Sequence, residues 1–298
     1  MAIYEEISSN KRKSYLIFFV FFLVIALLGY FGGLFYGDST IGIIIATVFA
    51  FSFMFFGYFS GDKTILSISQ AKLVKKEDYP HLVNSVEGIA IAAGIPTPKI
   101  YMIDDEAMNA FATGRNPQNA SITVTKGLVE NLKRTELEGV IGHEMSHIKN
   151  YDIRLMMLTV VLAGFIVLLS DFLLRSFFWS GGRNRDNREG GNLRVILIIA
   201  GLILAILSPL IAKLIQLAVS RKREFLADAS GALITRYPQG LASALKKIRD
   251  DPGRLEVANK ATAHLYISNP LKGAKGKINY LFNTHPDINE RIKRLEAM

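Results

Sequence analysis

The chain has 298 residues, 50% of them hydrophobic and only 20% charged, which indicates that part of it lies in lipid. The formal net charge of +9 is concentrated beside the apolar runs, so it favours contact with a lipid bilayer over binding to nucleic acid. The absence of cysteine excludes disulfides and thiolate metal sites, and it fits a reducing compartment.

Two uncharged apolar runs open the chain, at residues 14–36 and 40–60, and each is long enough to cross a bilayer as a helix. Basic residues precede the first run and follow the second, whereas the short turn between them has none. The first run is longer than the apolar region of a cleaved signal peptide, so a signal anchor is the better interpretation. The positive-inside rule then predicts a helical hairpin over residues 1–62, with the N-terminus and everything after residue 61 in the cytoplasm.

The next segment has the patterns of a small α+β unit. Apolar residues repeat at helical spacing from residue 82 to residue 93, after a start signal at Asp78 and Pro80 and before Gly94. Lys99–Ile103 is typical of a short strand, and Asn109–Thr113 and Ala120–Thr125 alternate as the two strands of a hairpin.

Thr135 and Glu138 then predict a capping box at the head of a further helix. That helix contains the sequence His143-Glu144-Met145-Ser146-His147. Two histidines four residues apart lie on one helical face, about 6 Å from each other, and can bind the same zinc ion. Glu144 then lies within reach of a metal-bound water, which predicts a hydrolytic metal site.

A second pair of apolar runs follows, at residues 155–178 and 193–219. The polar, arginine-containing loop at 180–192 lies between them. Two full crossings or a re-entrant hairpin both fit this pattern. Either arrangement returns the chain to its starting side, which brings residues 63–153 and 220–298 together as the two parts of one catalytic domain.

A catalytic zinc site needs a third protein ligand, which here must be His, Asp or Glu. Glu224 and Asp228 follow the last apolar run and share a helical face. One of them can bind the metal while the other accepts a hydrogen bond from a ligand histidine. The alternative is that Glu224 forms an ordinary ion pair with Arg221 or Lys222 on a solvated face. Two further helices are predicted at Pro238–Arg249 and after a cap formed by Asp287 and Glu290.

Four motifs in this order resemble the gluzincin peptidases, and more closely the HtpX-type membrane zinc endopeptidases of family M48, which are related to the CAAX-processing Ste24 enzymes. The motifs are Asn109–Gly114, Gly142–His147, Arg223–Asp228 and Thr284–Pro286. The resemblance covers nearly the whole chain. It implies a mostly helical, α+β, zincin-like cytoplasmic catalytic domain with a small sheet, fused to about four transmembrane helices.

The resemblance also implies roles for individual residues. His143, His147 and Glu224 would bind one Zn²⁺ ion, and Glu144 would be the general base. Asp228 would orient a ligand histidine. The strand formed by Asn109, Ala110, Phe111, Ala112 and Thr113 would bind extended substrate. His285 would stabilise the oxyanion or position substrate, unless it is only a turn residue, and Arg291 is a weaker candidate for support of the site. His264 has no motif around it, and a packing or a surface role is expected for it.

The expected function is therefore that of a multi-pass cell-membrane zinc endopeptidase. The resemblance implies membrane-protein and unfolded-protein substrates, and a role in membrane-protein quality control and stress response. Two alternatives remain open at this point. A non-catalytic scaffold would not need Glu144, and structural zinc sites usually use four protein ligands that favour cysteine. Processing of prenylated peptides is the other, although four apolar runs are few to enclose a chamber.

Overall fold

The computed structural model describes residues 2–165, 221–258, 262–270 and 286–298. The polar loop at 180–192, most of the second apolar pair and His285 lie outside the described residues. Among the described ones, the prediction of a mostly helical chain with one small sheet is confirmed.

The chain begins with a hairpin of two long helices, α1 (Ala2–Tyr36) and α2 (Ser39–Ile68). Gly37 adopts a φ of +91° in the connecting turn, and the Asp38 side chain accepts hydrogen bonds from two backbone amides at the start of α2. Segments Ile7–Tyr30 and Ser39–Ile68 are long and apolar enough to cross a membrane. Large apolar side chains on both helices, such as Phe19, Ile45 and Phe56, face outward, which fits contact with lipid.

The sheet has four strands: β1 (Lys72–Leu73), β2 (Lys99–Ile103), β3 (Ala110–Asn116) and β4 (Asn119–Thr125). Their spatial order is β1-β2-β4-β3, with β2 and β4 parallel and the other two pairs antiparallel. The predicted strand at 99–103 and the predicted hairpin are therefore confirmed. This order places β3 at one edge of the sheet.

The other described α-helices are α3 (Pro80–Ala93), α4 (Lys126–Asn131), α5 (Arg134–Lys149), α6 (residues 152–165), α7 (Arg221–Thr235), α8 (Pro238–Asp250) and α9 (Ile288–Glu296). Helix α5 lies at the centre and packs against α3, α7, α8 and β3. Its residues Leu137, Val140, Ile141, Met145 and Ile148 are buried in the main hydrophobic core. The helix that carries both histidines is thus held on several sides.

Three predicted helix caps differ from the structure. At α5, Glu136 accepts from the Lys133 backbone N–H at 2.7 Å, because the helix begins one residue before Thr135; Glu138 instead accepts from Arg134. At α3 the N-cap residue is Tyr79, and no side chain caps this helix. The predicted cap, Asp78, therefore makes no capping hydrogen bond. At α9, Asp287 is the cap as predicted, but Glu290 pairs with Arg294.

Helices α5 and α7 approach closely at two glycines, Gly142 and Gly231. A Cβ atom placed on Gly231 would lie 2.8 Å from the backbone nitrogen of His143, closer than van der Waals contact allows. The absence of a side chain at this position therefore lets α7 lie against the histidine-bearing helix.

We expect Gly231→Ala to lower the free energy of unfolding by about 1–3 kcal/mol, because the added methyl group forces two buried backbones apart. Gly88→Ala is the matched control, since a Cβ on Gly88 meets nothing within 4 Å. On an exposed helical site this control should leave stability unchanged or raise it by up to about 1 kcal/mol. Denaturant unfolding of the purified protein measures both; equal stability of the two variants would contradict the close packing.

Candidate metal centre and active site

Helix α5 presents His143 and His147 on one face, one turn apart. Their Nε2 atoms are 3.2 Å from each other, and both rings are almost fully buried. The rings are nearly perpendicular, with centroids 4.8 Å apart. The predicted placement of two imidazoles at one point is thereby observed.

Glu224, at the start of α7, approaches the same point. Its Oε1 lies 3.6 Å from His147 Nε2, and its Oε2 lies 3.8 Å from His143 Nε2. Ligand atoms at about 2.0–2.1 Å from a tetrahedral zinc ion are separated by about 3.3–3.4 Å. The three donors therefore fit one small divalent cation, and the ordinary surface ion pair with Arg221 or Lys222 does not describe the buried Glu224.

Two carboxylates fix the outer nitrogens of these rings. Asp228 Oδ1 lies 2.9 Å from His143 Nδ1, and Asp152 Oδ2 lies 2.9 Å from His147 Nδ1. Since each carboxylate accepts a hydrogen bond from Nδ1, both Nε2 atoms face the shared point. A cation bound there would take the lone pairs of both nitrogens and offset the charge of the Glu224 carboxylate.

Arg291 lies behind Asp228 and is fully buried. Its guanidinium donates to both Asp228 oxygens, at 2.8 and 2.7 Å, and to the carbonyl of Ile267 at 2.9 Å. Burial alone would raise the pKa of Asp228, but the charge of Arg291 and the hydrogen bond with His143 lower it to about 2. Arg291 thus keeps charged the carboxylate that orients His143.

Glu144 follows the first histidine and is also buried. Burial in this site raises the pKa of Glu144 to about 7, opposed by nearby positive charge and by a hydrogen bond from the Ala112 backbone. That contact joins Glu144 to β3, the strand that the motifs predicted at the edge of the active site.

The ring protonation differs between the two histidines when no cation is present. For His143, burial is the main effect and lowers the pKa. For His147, burial also lowers the pKa, but the hydrogen bond that its Nδ1 donates to Asp152 and the charges of Glu224 and Asp152 outweigh burial and raise the pKa to about 9. The site is therefore strongly negative around His147, as expected of a site that binds a cation.

A model of peptidase family M48 matches residues 77–298, which is most of the chain. The chain belongs to peptidase family M48. The matched region begins just before α3 and contains every donor of the candidate metal centre.

Full-length relatives agree with this assignment. The chain is 50% identical to a protein named Protease HtpX homolog from Dictyoglomus turgidum, over 99% of this chain and 94% of the relative. It is 45% identical to the protein of that name from Caldanaerobacter subterraneus, and 44% identical to that from Streptococcus pneumoniae. The predicted HtpX-type resemblance is confirmed.

A solved structure shows a related fold. The crystal structure of S. mikatae Ste24p matches 98% of this chain and 67% of that chain, with a TM-score of 0.53 and 20% sequence identity. At this identity the likeness concerns the fold alone.

The outer edge of β3 in this M48 peptidase is partly occupied by its own chain. The backbone N–H of Ile267 donates to the Ala110 carbonyl at 2.9 Å, and the Asn109 side chain donates to the Ser268 carbonyl at 3.1 Å. The Asn109 carbonyl, in contrast to that of Ala110, accepts from the Thr125 backbone N–H of β4. Because backbone groups alternate in direction along a strand, residues 110 and 112 point theirs away from β4. Of the predicted strand, Ala112 is the residue that contacts Glu144.

Sequence reasoning missed one member of the site, Asp152. The available signal was an acidic residue five positions after His147, immediately before an apolar run. His285 lies outside the described residues. His264 is buried in the short helical turn Ala263–Leu265, which favours packing over the surface role that was also expected for it.

We expect Arg291→Met to lower the free energy of unfolding by about 3–5 kcal/mol, because it leaves the Asp228 charge buried without its main partner. Lys293→Met removes the same charge from an exposed position on the same helix and should cost less than about 0.5 kcal/mol. Unfolding of both purified proteins in detergent measures this difference. A similar small effect for the two variants would mean that Arg291 does not hold Asp228.

Proposed function

We propose that this chain is a membrane-embedded, zinc-dependent endopeptidase of the HtpX type. It would cleave misfolded or damaged membrane proteins and unfolded segments from the cytoplasmic side, in membrane-protein quality control. The observation that carries the proposal is the buried convergence of His143, His147 and Glu224 next to Glu144.

The reaction would use the three metal ligands and one proton that Glu144 carries. A zinc ion held by His143, His147 and Glu224 would polarise a peptide carbonyl and make a water molecule acidic enough to attack it. Glu144 takes the proton from the attacking water and returns it to the leaving amine. The backbone of Ala112 holds the Glu144 carboxylate in place for both transfers.

The outer edge of β3 supports binding of substrate in an extended conformation. The Ala110 carbonyl on this edge accepts from the backbone N–H of Ile267, which is a main-chain hydrogen bond to a segment outside the sheet. An extended substrate would use the outward backbone groups of β3 beyond that contact. Main-chain hydrogen bonds of this kind give affinity with little dependence on side chains. Such a site suits substrates that share an unfolded backbone more than a sequence.

The position of the metal centre supports action at the membrane surface. Helix α6 begins at residue 152, five residues after His147, and it packs with α1 and α2 in one apolar cluster. Glu224 lies in the first turn of α7, directly after the last apolar run. Positive charge at both ends of the first hairpin supports a cytoplasmic position for this centre.

We expect Glu144→Gln to lower the rate of casein cleavage by at least about two orders of magnitude while zinc content stays at one ion per chain. The amide keeps the shape of the side chain but cannot accept the proton. Glu138→Gln, on the same helix and away from the donors, is the control and should cleave at the wild-type rate. Near-normal cleavage by Glu144→Gln would remove this residue from the mechanism.

Removal of the third donor should act on metal binding itself. We expect Glu224→Ala to lose most of its zinc on dialysis against a chelator that leaves zinc on wild-type and Glu144→Gln protein. Atomic absorption on the dialysed samples provides the measurement. Full zinc retention in Glu224→Ala would place the third ligand elsewhere, and zinc-bound wild-type protein without chelator-sensitive cleavage would favour a structural scaffold.

A further inference from the structure

The N-terminal membrane helix reaches the candidate metal centre through one side chain. Asn10, in α1, has no exposed surface, and its Nδ2 donates to Asp152 Oδ1 at 2.7 Å and to the Asn150 carbonyl at 3.0 Å. Both partners are acceptors only, so they fix the amide nitrogen on this side. Asn10 is more than a hundred residues away in sequence from the helix that it contacts.

Asp152 uses its two oxygens for different partners. Oδ2 accepts from His147, whereas Oδ1 accepts from Asn10 at 2.7 Å and from Arg223 at 3.4 Å. The shorter of the two contacts to Oδ1 therefore comes from α1. A carboxylate held at both oxygens has one orientation, and it transmits that orientation to the imidazole.

Other contacts hold α1 against the same turn. Lys11 lies 4.5 Å from the ring centroid of Tyr151, and Arg154 lies 4.9 Å from that centroid. Tyr151 has a φ of +61°, an uncommon conformation for a residue with a side chain. Further along α1, Phe21 packs edge-to-face on Phe165 of α6 at 5.3 Å. The helix is thus fixed on α6 over several turns, with Asn10 at the end nearest the metal centre.

We propose that Asn10 is a positioning residue for the metal ligand His147, so that the N-terminal membrane helix contributes to metal affinity. The chain of contacts runs from Asn10 to Asp152 and from Asp152 to His147. Without the amide, Oδ1 keeps, among the described residues, the longer contact with Arg223, so the carboxylate is held less firmly against the ring. This inference rests on the proposed function, because it takes the bound cation to be zinc.

The test measures Zn²⁺ affinity by competition with a chromophoric chelator, on full-length protein purified in detergent. Asn10→Ala should bind Zn²⁺ about 10–100-fold more weakly than wild type, the usual effect of losing a group that orients a ligand. Ser14→Ala is the matched control, because Ser14 is buried one turn further along α1 and its hydroxyl donates to the Asn10 carbonyl at 2.9 Å, away from Asp152. It should retain wild-type affinity.

A double-mutant cycle separates positioning from a general loss of structure. Asp152→Ala alone should weaken Zn²⁺ binding at least as much as Asn10→Ala, and adding Asn10→Ala to it should cause no further loss. A full additional loss in the double variant would overturn the proposal, because Asn10 would then act without Asp152. Wild-type affinity in Asn10→Ala would overturn it as well.

A second variant and the wild-type result distinguish failure of the positioning role from failure of the proposed function. If Asn10→Ala does not yield folded protein, Asn10→Asp keeps the size of the side chain and sets a carboxylate against Asp152; wild-type Zn²⁺ affinity in that variant overturns the proposal. Wild-type protein that binds no Zn²⁺ at all would refute the proposed function. If wild-type protein binds Zn²⁺ and the Asn10 variant binds it equally tightly, only the positioning role is refuted.

Discussion

The metal centre depends on buried negative charge that a cation neutralises. The inner nitrogens of two imidazoles, 3.2 Å apart, and the carboxylate of Glu224 converge in a buried region, where water cannot screen them. Asp228 and Asp152 accept hydrogen bonds from the outer nitrogens and so aim the inner nitrogens at the shared point. Without a cation, the surrounding negative charge raises the pKa of His147 to about 9 and so keeps that ring protonated; a divalent ion at the shared point would take the place of that proton.

The surrounding fold brings donors from distant parts of the sequence to that point. Helix α5 supplies two donors and is fixed in the core, and the glycines at 142 and 231 let α7 come close enough to add the third. Arg291 arrives from α9 and keeps Asp228 charged. The apolar helices α1 and α6 join the same hydrogen-bond network through Asn10 and Asp152. The metal centre is therefore connected to these helices as well as to the catalytic unit.

Local patterns were sufficient to predict the donors but not all of their partners. Histidines four residues apart, and Glu224 with Asp228 on one face, follow from helical spacing. The strand at 99–103 and the hairpin follow from strand and turn patterns. Asp152 and Asn10 were missed because their roles exist only once two helices distant in sequence are packed together. The cap at Glu136 was missed because helix α5 starts two residues earlier than the Thr135 pattern indicated, with Lys133 in place of Thr135 as the N-cap.

Zinc K-edge X-ray absorption of the purified wild-type protein tests the central claim most directly, because it reports the ligands around the ion itself. The account predicts a four-coordinate ion with nitrogen and oxygen ligands at about 2.0–2.1 Å and the scattering pattern of two imidazoles. A six-coordinate oxygen shell without imidazole scattering would contradict it, since His143 and His147 would then not share the metal.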